Sequence, residues 1–223
     1  MALRPYVTQS RALEPTVFAA TRERVLSSPL IARSTLAGSF QASRGFAVTF
    51  TLAGLPRVEE RFETFAPFLR LALQQPWWRR WRPNAFYLNV LVVPAGAGVG
   101  RHTDGTLRGP SGEPQALPRQ VTVLYLQVPP GSQGGRLRLF CNDRVVAELS
   151  PEENTLVRFS GSLAHEVERL EAAPGEFRAS LVLEQYLLPA AALARLEPMR
   201  LQSNAGFSAY LDDARPPRDF IVD

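Results

Sequence analysis

A chain of 223 residues, 45% hydrophobic and 21% charged, has the composition of a soluble globular protein and a size that suits one all-β domain with extensions. No apolar run approaches the roughly twenty residues that span a bilayer, residues 1–18 lack the apolar core of a secretory signal, and one cysteine excludes an internal disulfide, so a cytoplasmic location is expected, with Cys141 as a small buried hydrophobe. All 25 basic residues are arginine against 21 acids; residues 1–120 carry +8 and residues 121–223 carry −4, weak support for a nucleic-acid partner.

Taken in order, Pro15 to Ser28 reads as a short helix, with Phe18, Val25 and Leu26 on one side and Ser27-Ser28-Pro29 stopping it. Residues 36–55 look extended, above all Gly45 to Leu52, whose β-branched and aromatic content suits a strand flanking a larger sheet. From Arg57 to Gln75, Val58, Phe62, Phe65, Leu69 and Leu73 recur every three to four residues, one buried face of a long helix that Pro67 kinks or restarts. Pro76 ends it. Trp77-Trp78-Arg79-Arg80-Trp81-Arg82 then holds every tryptophan. Arginine stems covering tryptophans that pack a helix onto a sheet explain the cluster better than a base-stacking platform does.

Phe86 to Val93 opens a run of short strands, with Phe86, Leu88, Val90 and Val92 on one face and Tyr87, Asn89, Leu91 and Val93 on the other. After the glycine-rich turn 94–98, which lacks the lysine of a phosphate loop, a strand carries Arg101-His102-Thr103-Asp104. Residues 105–118 form a long loop of the kind that often serves as a lid. Strands follow at 120–128, 135–140, 144–149, 155–159, 164–168 and 177–186, with Asn142-Asp143 as one turn. That is enough for two sheets closing as a jelly roll. Pro189 to Leu196 reads as a helix, and Ala214 to Arg218 begins a loosely constrained tail. One domain over 1–223 is expected: helices and a flanking strand in 1–85, the β core in 86–187, and a helix and tail in 188–223.

His102 and His165 are the only histidines. On an extended strand residues i and i+2 share a face, so His102 and Asp104 can hold one ion between them. Two imidazoles and one carboxylate on one side of a metal leave the other side open, the arrangement of non-haem Fe(II) oxygen chemistry. His-x-Asp alone is a weak motif, but here Gly134-Gly135-Arg136-Leu137-Arg138-Leu139, His165 and Arg178-Ala179-Ser180 follow in order. With these the chain resembles the Fe(II)/2-oxoglutarate-dependent dioxygenases, and among them the prolyl-hydroxylase-like branch, over roughly residues 86–187.

The resemblance implies a mainly β, cupin-like double-stranded β-helix with helices packed on one sheet. It implies Fe(II) on His102, Asp104 and His165, with 2-oxoglutarate and O2 at the open positions, ascorbate as an optional reductant, and hydroxylation with release of succinate and CO2. Halogenating relatives have a small residue where Asp104 stands, so hydroxylation is favoured. Arg178 would pair with the distal carboxylate of 2-oxoglutarate through two parallel donors; the lysine that some relatives use is absent from this chain. Ser180, on the same face, would add a hydroxyl. Tyr125 stands where that branch has a tyrosine contacting the same carboxylate, the alternative being a core or rim aromatic.

Parity turns Glu184 inward with Arg178 and Ser180, and Asn89 inward from the first core strand. They would orient the substrate through an amine or amide, or Glu184 would pair with an arginine. The expected substrate is a prolyl or other amino-acid residue, free or in a peptide, or a small metabolite. A nucleic-acid demethylase of the same superfamily is the first alternative, disfavoured because such enzymes carry a second arginine six residues after the co-substrate arginine, where this chain has Glu184. A metal-binding jelly roll that does not use 2-oxoglutarate is the second.

Overall fold

The computed structural model describes residues 5–36, 38–73, 82–107, 116–206 and 208–209. In chain order these form β1 (Tyr6–Gln9), α1 (Pro15–Leu26), β2 (Ala32–Arg33), β3 (Arg44–Thr51), α2 (Leu55–Arg61), α3 (Ala66–Leu73), β4 (Ala85–Pro94) and β5 (Val99–His102). Then come β6 (Gln120–Gln127), β7 (Gln133–Gly134), β8 (Leu137–Cys141), β9 (Arg144–Leu149), β10 (Leu156–Ser160), β11 (Ala164–Val167), β12 (Leu170–Glu171), β13 (Phe177–Tyr186), α4 (Ala190–Leu193) and β14 (Met199–Gln202). Three 3-10 turns, Gly38–Phe40, Leu52–Gly54 and Glu63–Phe65, join them.

Among the described residues every strand pairing is antiparallel. The major sheet runs β1-β10-β6-β13-β4-β3-β14, with β2 beside β3, and the minor sheet runs β5-β11-β8-β9. β4 and β13 sit at the centre of the major sheet and are buried along nearly their whole length, because each of their two faces has its own cover. Phe86, Leu88, Val90 and Val92 of β4 join Leu181 and Leu183 of β13 in a core closed by Val58, Phe65, Phe68 and Leu69 of the helical segments. Fully burying one such side chain contributes about 1.5–3 kcal/mol. The other face holds Tyr87, Asn89, Leu91 and Val93 on β4, with the even-numbered residues of β13, and there the pocket described below opens.

Four expectations need correction. The long helix over 57–75 is two short helices and a 3-10 turn: Phe62, at φ −125° and ψ 65°, leaves helical geometry. Pro67 is the second residue of α3, a position whose N–H has no helical partner. The extended stretch 36–55 is a strand only from Arg44, since Gly38 at φ +67° starts a 3-10 turn. Cys141 is exposed, not buried, because β8 ends there and Asn142 and Asp143, at φ 48° and 63°, reverse the chain into β9. The helix at 189–196 shrinks to α4. Strands β1, β2 and β14 are additions at the sheet's margins. The tryptophan cluster at 77–81, residues 108–115 of the expected loop and the expected tail from Ala214 lie outside the described residues.

On the outer face of the minor sheet the guanidinium groups of Arg136 and Arg138 lie 2.7 to 3.4 Å from the carboxylates of Glu148, Glu166 and Glu168. Arg138 stands directly opposite Glu166 on one neighbour and Glu148 on the other. Opposite charges facing each other across adjacent strands reinforce the pairing register.

Candidate functional site

β5 and β11 are neighbours, and His102 and His165 face each other across them as direct partners, with ring centroids 4.3 Å apart. Asp104 lies just past the end of β5. Its Oδ1 is 3.4 Å from Nε2 of His102 and its Oδ2 is 3.5 Å from Nε2 of His165, and the three ligand atoms fall within 4.8 Å of one another. Each imidazole has a backbone carbonyl at its far nitrogen, Gly100 O at 2.8 Å from His102 Nδ1 and Leu163 O at 3.2 Å from His165 Nδ1. A carbonyl only accepts, so each Nδ1 carries a proton and each ring turns its Nε2 inward, the atom a metal would take. Phe40 and Phe159 pack edge-on against the two rings at 4.8 and 5.1 Å and restrain them.

Electrostatics agree with this geometry. Burial opposes ionisation of Asp104, but the neighbouring His165 and His102 outweigh it and hold the carboxyl below its usual range. Burial holds His165 below the ordinary imidazole value despite Asp104; at His102 burial acts the same way, but Asp104 prevails and the value rises. The buried Oδ2 of Asp104 receives no hydrogen bond. Two inward Nε2 atoms and an unsatisfied carboxylate oxygen converge on one point, a donor set that suits a cation.

Further along the same cavity, Arg178 is 2% exposed on β13, with its guanidinium carbon 5.0 Å from the centroid of the Tyr125 ring. Its Nη1 donates to Gly135 O at 2.6 Å. That carbonyl belongs to a tight glycine pair: a Cβ on Gly134, at φ +67°, would sit 2.1 Å from Arg169 O. Ser180 stands directly opposite Tyr125 of β6, next to a bulge at Ala179/Ser180 that resets the β13–β6 register. Tyr125 OH, Ser180 Oγ and Arg178 Nε are all buried without a hydrogen-bond partner. An unpaired buried polar group costs about 1–3 kcal/mol; here Tyr125 and Arg178 line the cavity and Ser180 stands directly opposite Tyr125. Burial lifts the Tyr125 phenol, against the pull of Arg178, and lowers the guanidinium. A carboxylate is the acceptor that would satisfy all three. The donor sets at the two points therefore fit a divalent cation and an acid with a remote carboxylate.

The remaining polar wall is Glu184 and Asn89. Glu184 stands opposite Tyr87, and Asn89 opposite the neighbouring inward residue of β13, Val182. Both line the cavity. Oε1 of Glu184 accepts from Thr106 Oγ1 at 2.7 Å, and Oε2 accepts from Tyr186 OH, which itself accepts from Thr106 N at 3.1 Å. Burial, reinforced by the charge of Asp104, pushes the Glu184 carboxyl up to about 8. No arginine pairs with Glu184 among the described residues. The Asn89 amide, 8% exposed, makes no side-chain hydrogen bond among the described residues.

Seven of the eight expected residues, His102, Asp104, His165, Arg178, Tyr125, Asn89 and Glu184, thus line one cavity; Ser180 is not in that lining but stands directly opposite Tyr125. Sequence reasoning missed Thr106 and Tyr186, although each lies two residues beyond a residue it singled out. It also missed Leu36 and Phe40, which cover the cavity from a segment without periodicity.

The sequence matches no family model and no curated protein. Solved structures do match. A Pseudomonas putida prolyl-4-hydroxylase is 22% identical with a TM-score of 0.57, over 83% of this chain and 94% of that one. A Trichoplax adhaerens prolyl hydroxylase, in complex with a peptide fragment of the hypoxia inducible factor oxygen degradation domain, is 16% identical with a TM-score of 0.60, over 87% and 88%. A 2OG-Fe(II) oxygenase family protein from Burkholderia pseudomallei is 14% identical with a TM-score of 0.53, over 81% and 84%. At these identities the likeness concerns the fold, and the fold is theirs: the cupin-like double-stranded β-helix.

Proposed function

We propose that this chain is an Fe(II)- and 2-oxoglutarate-dependent oxygenase that hydroxylates an unactivated C–H bond of an amino-acid residue, free or in a peptide, or of a small metabolite. One observation carries the reading. A cation-seeking His102/Asp104/His165 cluster and the carboxylate-seeking Arg178 and Tyr125, with Ser180 opposite Tyr125, meet at the same cavity, and each group keeps buried polar atoms without a partner.

In this reading His102, Asp104 and His165 hold Fe(II), and Arg178, Tyr125 and Ser180 receive the distal carboxylate of 2-oxoglutarate. When bound, iron with 2-oxoglutarate and O2 supplies the oxidising power for the hydroxylation, releasing succinate and CO2. The protein contributes placement. Carbonyls behind both imidazoles keep Nε2 free for the metal. Gly135 O fixes the angle of the Arg178 fork. Leu91, Val121, Val123 and Val182 give the cavity apolar walls, which exclude water and strengthen the interactions of the charged groups inside. Asn89 and Glu184 are left to meet the substrate.

The test is spectroscopic. Anaerobic addition of Fe(II) and then 2-oxoglutarate should give the weak visible charge-transfer band of a bidentate keto acid on iron. If iron binds and no band forms, the 2-oxoglutarate reading is wrong. Succinate release across free amino acids, proline peptides and methylated oligonucleotides then separates an amino-acid substrate from the demethylase alternative.

A further inference from the structure

Glu184 is the buried acid of the cavity that neither the metal cluster nor the Arg178 cluster uses. We propose that Glu184 recognises a cationic nitrogen of the substrate, a primary or secondary ammonium, with Asn89 as a neutral second contact. The inference rests on the oxygenase reading and assigns the substrate class within it.

The first argument is charge balance. Two positive charges on the metal and one on Arg178 are matched by Asp104 and a dianionic co-substrate. Glu184 is then left without a counter-charge in the described lining of the cavity, where Arg178 is the one arginine, so its ionised form is favoured only when a cation joins it. A buried carboxylate without a counter-charge is costly; an ammonium entering with the substrate supplies one.

The second argument is geometric. Thr106 Oγ1 and Tyr186 OH each hold one oxygen of Glu184, yet neither hydroxyl carries a charge. An ionised carboxylate has about four acceptor sites, so two such bonds fix its orientation and leave others available. A preorganised group of this kind loses little freedom on binding. Glu184 and Asn89 are diagonal neighbours on one face of the β13–β4 pair, about 7–8 Å apart along the backbone, a span one small amine can bridge. Asn89 offers two donors and an acceptor, suited to the same ammonium or to a carbonyl beside it.

Glu184 has a competing role as a tether: through Thr106 it holds the segment that carries Asp104. A positional role and a recognition role predict different measurements. Full-length protein is loaded with redox-inert Mn(II) and 2-oxoglutarate, then titrated calorimetrically with free L-amino acids, proline included, and with small alkylamines. Each titration is paired with the N-acetylated form of the same compound, so the comparison needs no variant. At least one free amine should bind, and its N-acetyl form should bind about 10- to 100-fold more weakly, the value of a hydrogen bond to a charged group. Glu184→Gln should weaken amine binding by a similar factor while Mn(II) and 2-oxoglutarate still load. The proposal is overturned if the loaded complex binds no amine, binds amine and acetyl forms alike, or binds the amine unchanged in Glu184→Gln. Loss of Mn(II) binding in Glu184→Gln would assign Glu184 to the tether instead. Failure of the unmutated protein to load Mn(II) or 2-oxoglutarate would sink the oxygenase reading itself.

Discussion

The inner cavity and the outer face of the minor sheet are built from the same materials, arginines and acids on alternate residues of antiparallel strands, and they end in opposite states. Outside, Arg136 and Arg138 pair with Glu148, Glu166 and Glu168, every one of these charges meeting an opposite one, although Arg138 Nε makes no hydrogen bond. Inside, Arg178, Tyr125, Ser180 and Asp104 keep buried polar atoms with no partner. Exposed pairs are worth little, whereas unmade hydrogen bonds in a closed site are expensive. Polarity that the chain leaves unsatisfied is therefore the better guide to what it binds, and the contrast can be tested by removing one group at a time.

The largest effect belongs to the metal cluster. Asp104→Ala should abolish the Fe(II)/2-oxoglutarate band and lower succinate formation by more than about 100-fold, beyond the loss caused by an outer-shell partner; a band that survives would remove Asp104 from the ligand set. Next is Arg178→Met, which should raise the 2-oxoglutarate concentration for half-maximal turnover by about 30-fold or more, the low end for truncating one side of a buried charged pair, with Fe(II) affinity unchanged. Tyr125→Phe removes a single hydroxyl and should cost about tenfold in the same measurement, near 1.4 kcal/mol. An unaltered value would make Tyr125 a packing aromatic.

The smallest effect lies outside. Glu168→Gln should change unfolding free energy by under about 1 kcal/mol and leave 2-oxoglutarate dependence untouched, as denaturant titration and turnover assays would report. Its pH dependence has a definite sign. The Arg136 hydrogen bond holds Glu168 below its usual range, so its small contribution is present above the unfolded carboxylate value and fades as pH falls through the lower folded one.

Much of this site was legible because strand parity is robust. Arg178, Ser180 and Glu184 could be placed on one face from the sequence, since β13 is one strand from Phe177 to Tyr186 and period two survives burial on both sides. Cys141 could not be placed, because burial at a strand's last residue depends on where the turn begins. The helix over 57–75 misled because an apolar spacing of three to four persists across Phe62, where the backbone leaves helical geometry. Phe40 and Thr106 sit on connections whose positions are set by tertiary contacts and leave no periodic trace.

β13 carries Arg178, Ser180, Val182, Glu184 and Tyr186 on its inner face, and its ladder with β4 runs unbroken from Phe177 to Tyr186. Inserting or deleting one residue within that span would turn part of the row to the opposite side of the sheet. Descendants of this chain can therefore diversify along β13 by exchanging side chains but not by changing its length. Indels should accumulate instead at places such as the Asn142-Asp143 hairpin tip, where the backbone has room to absorb them.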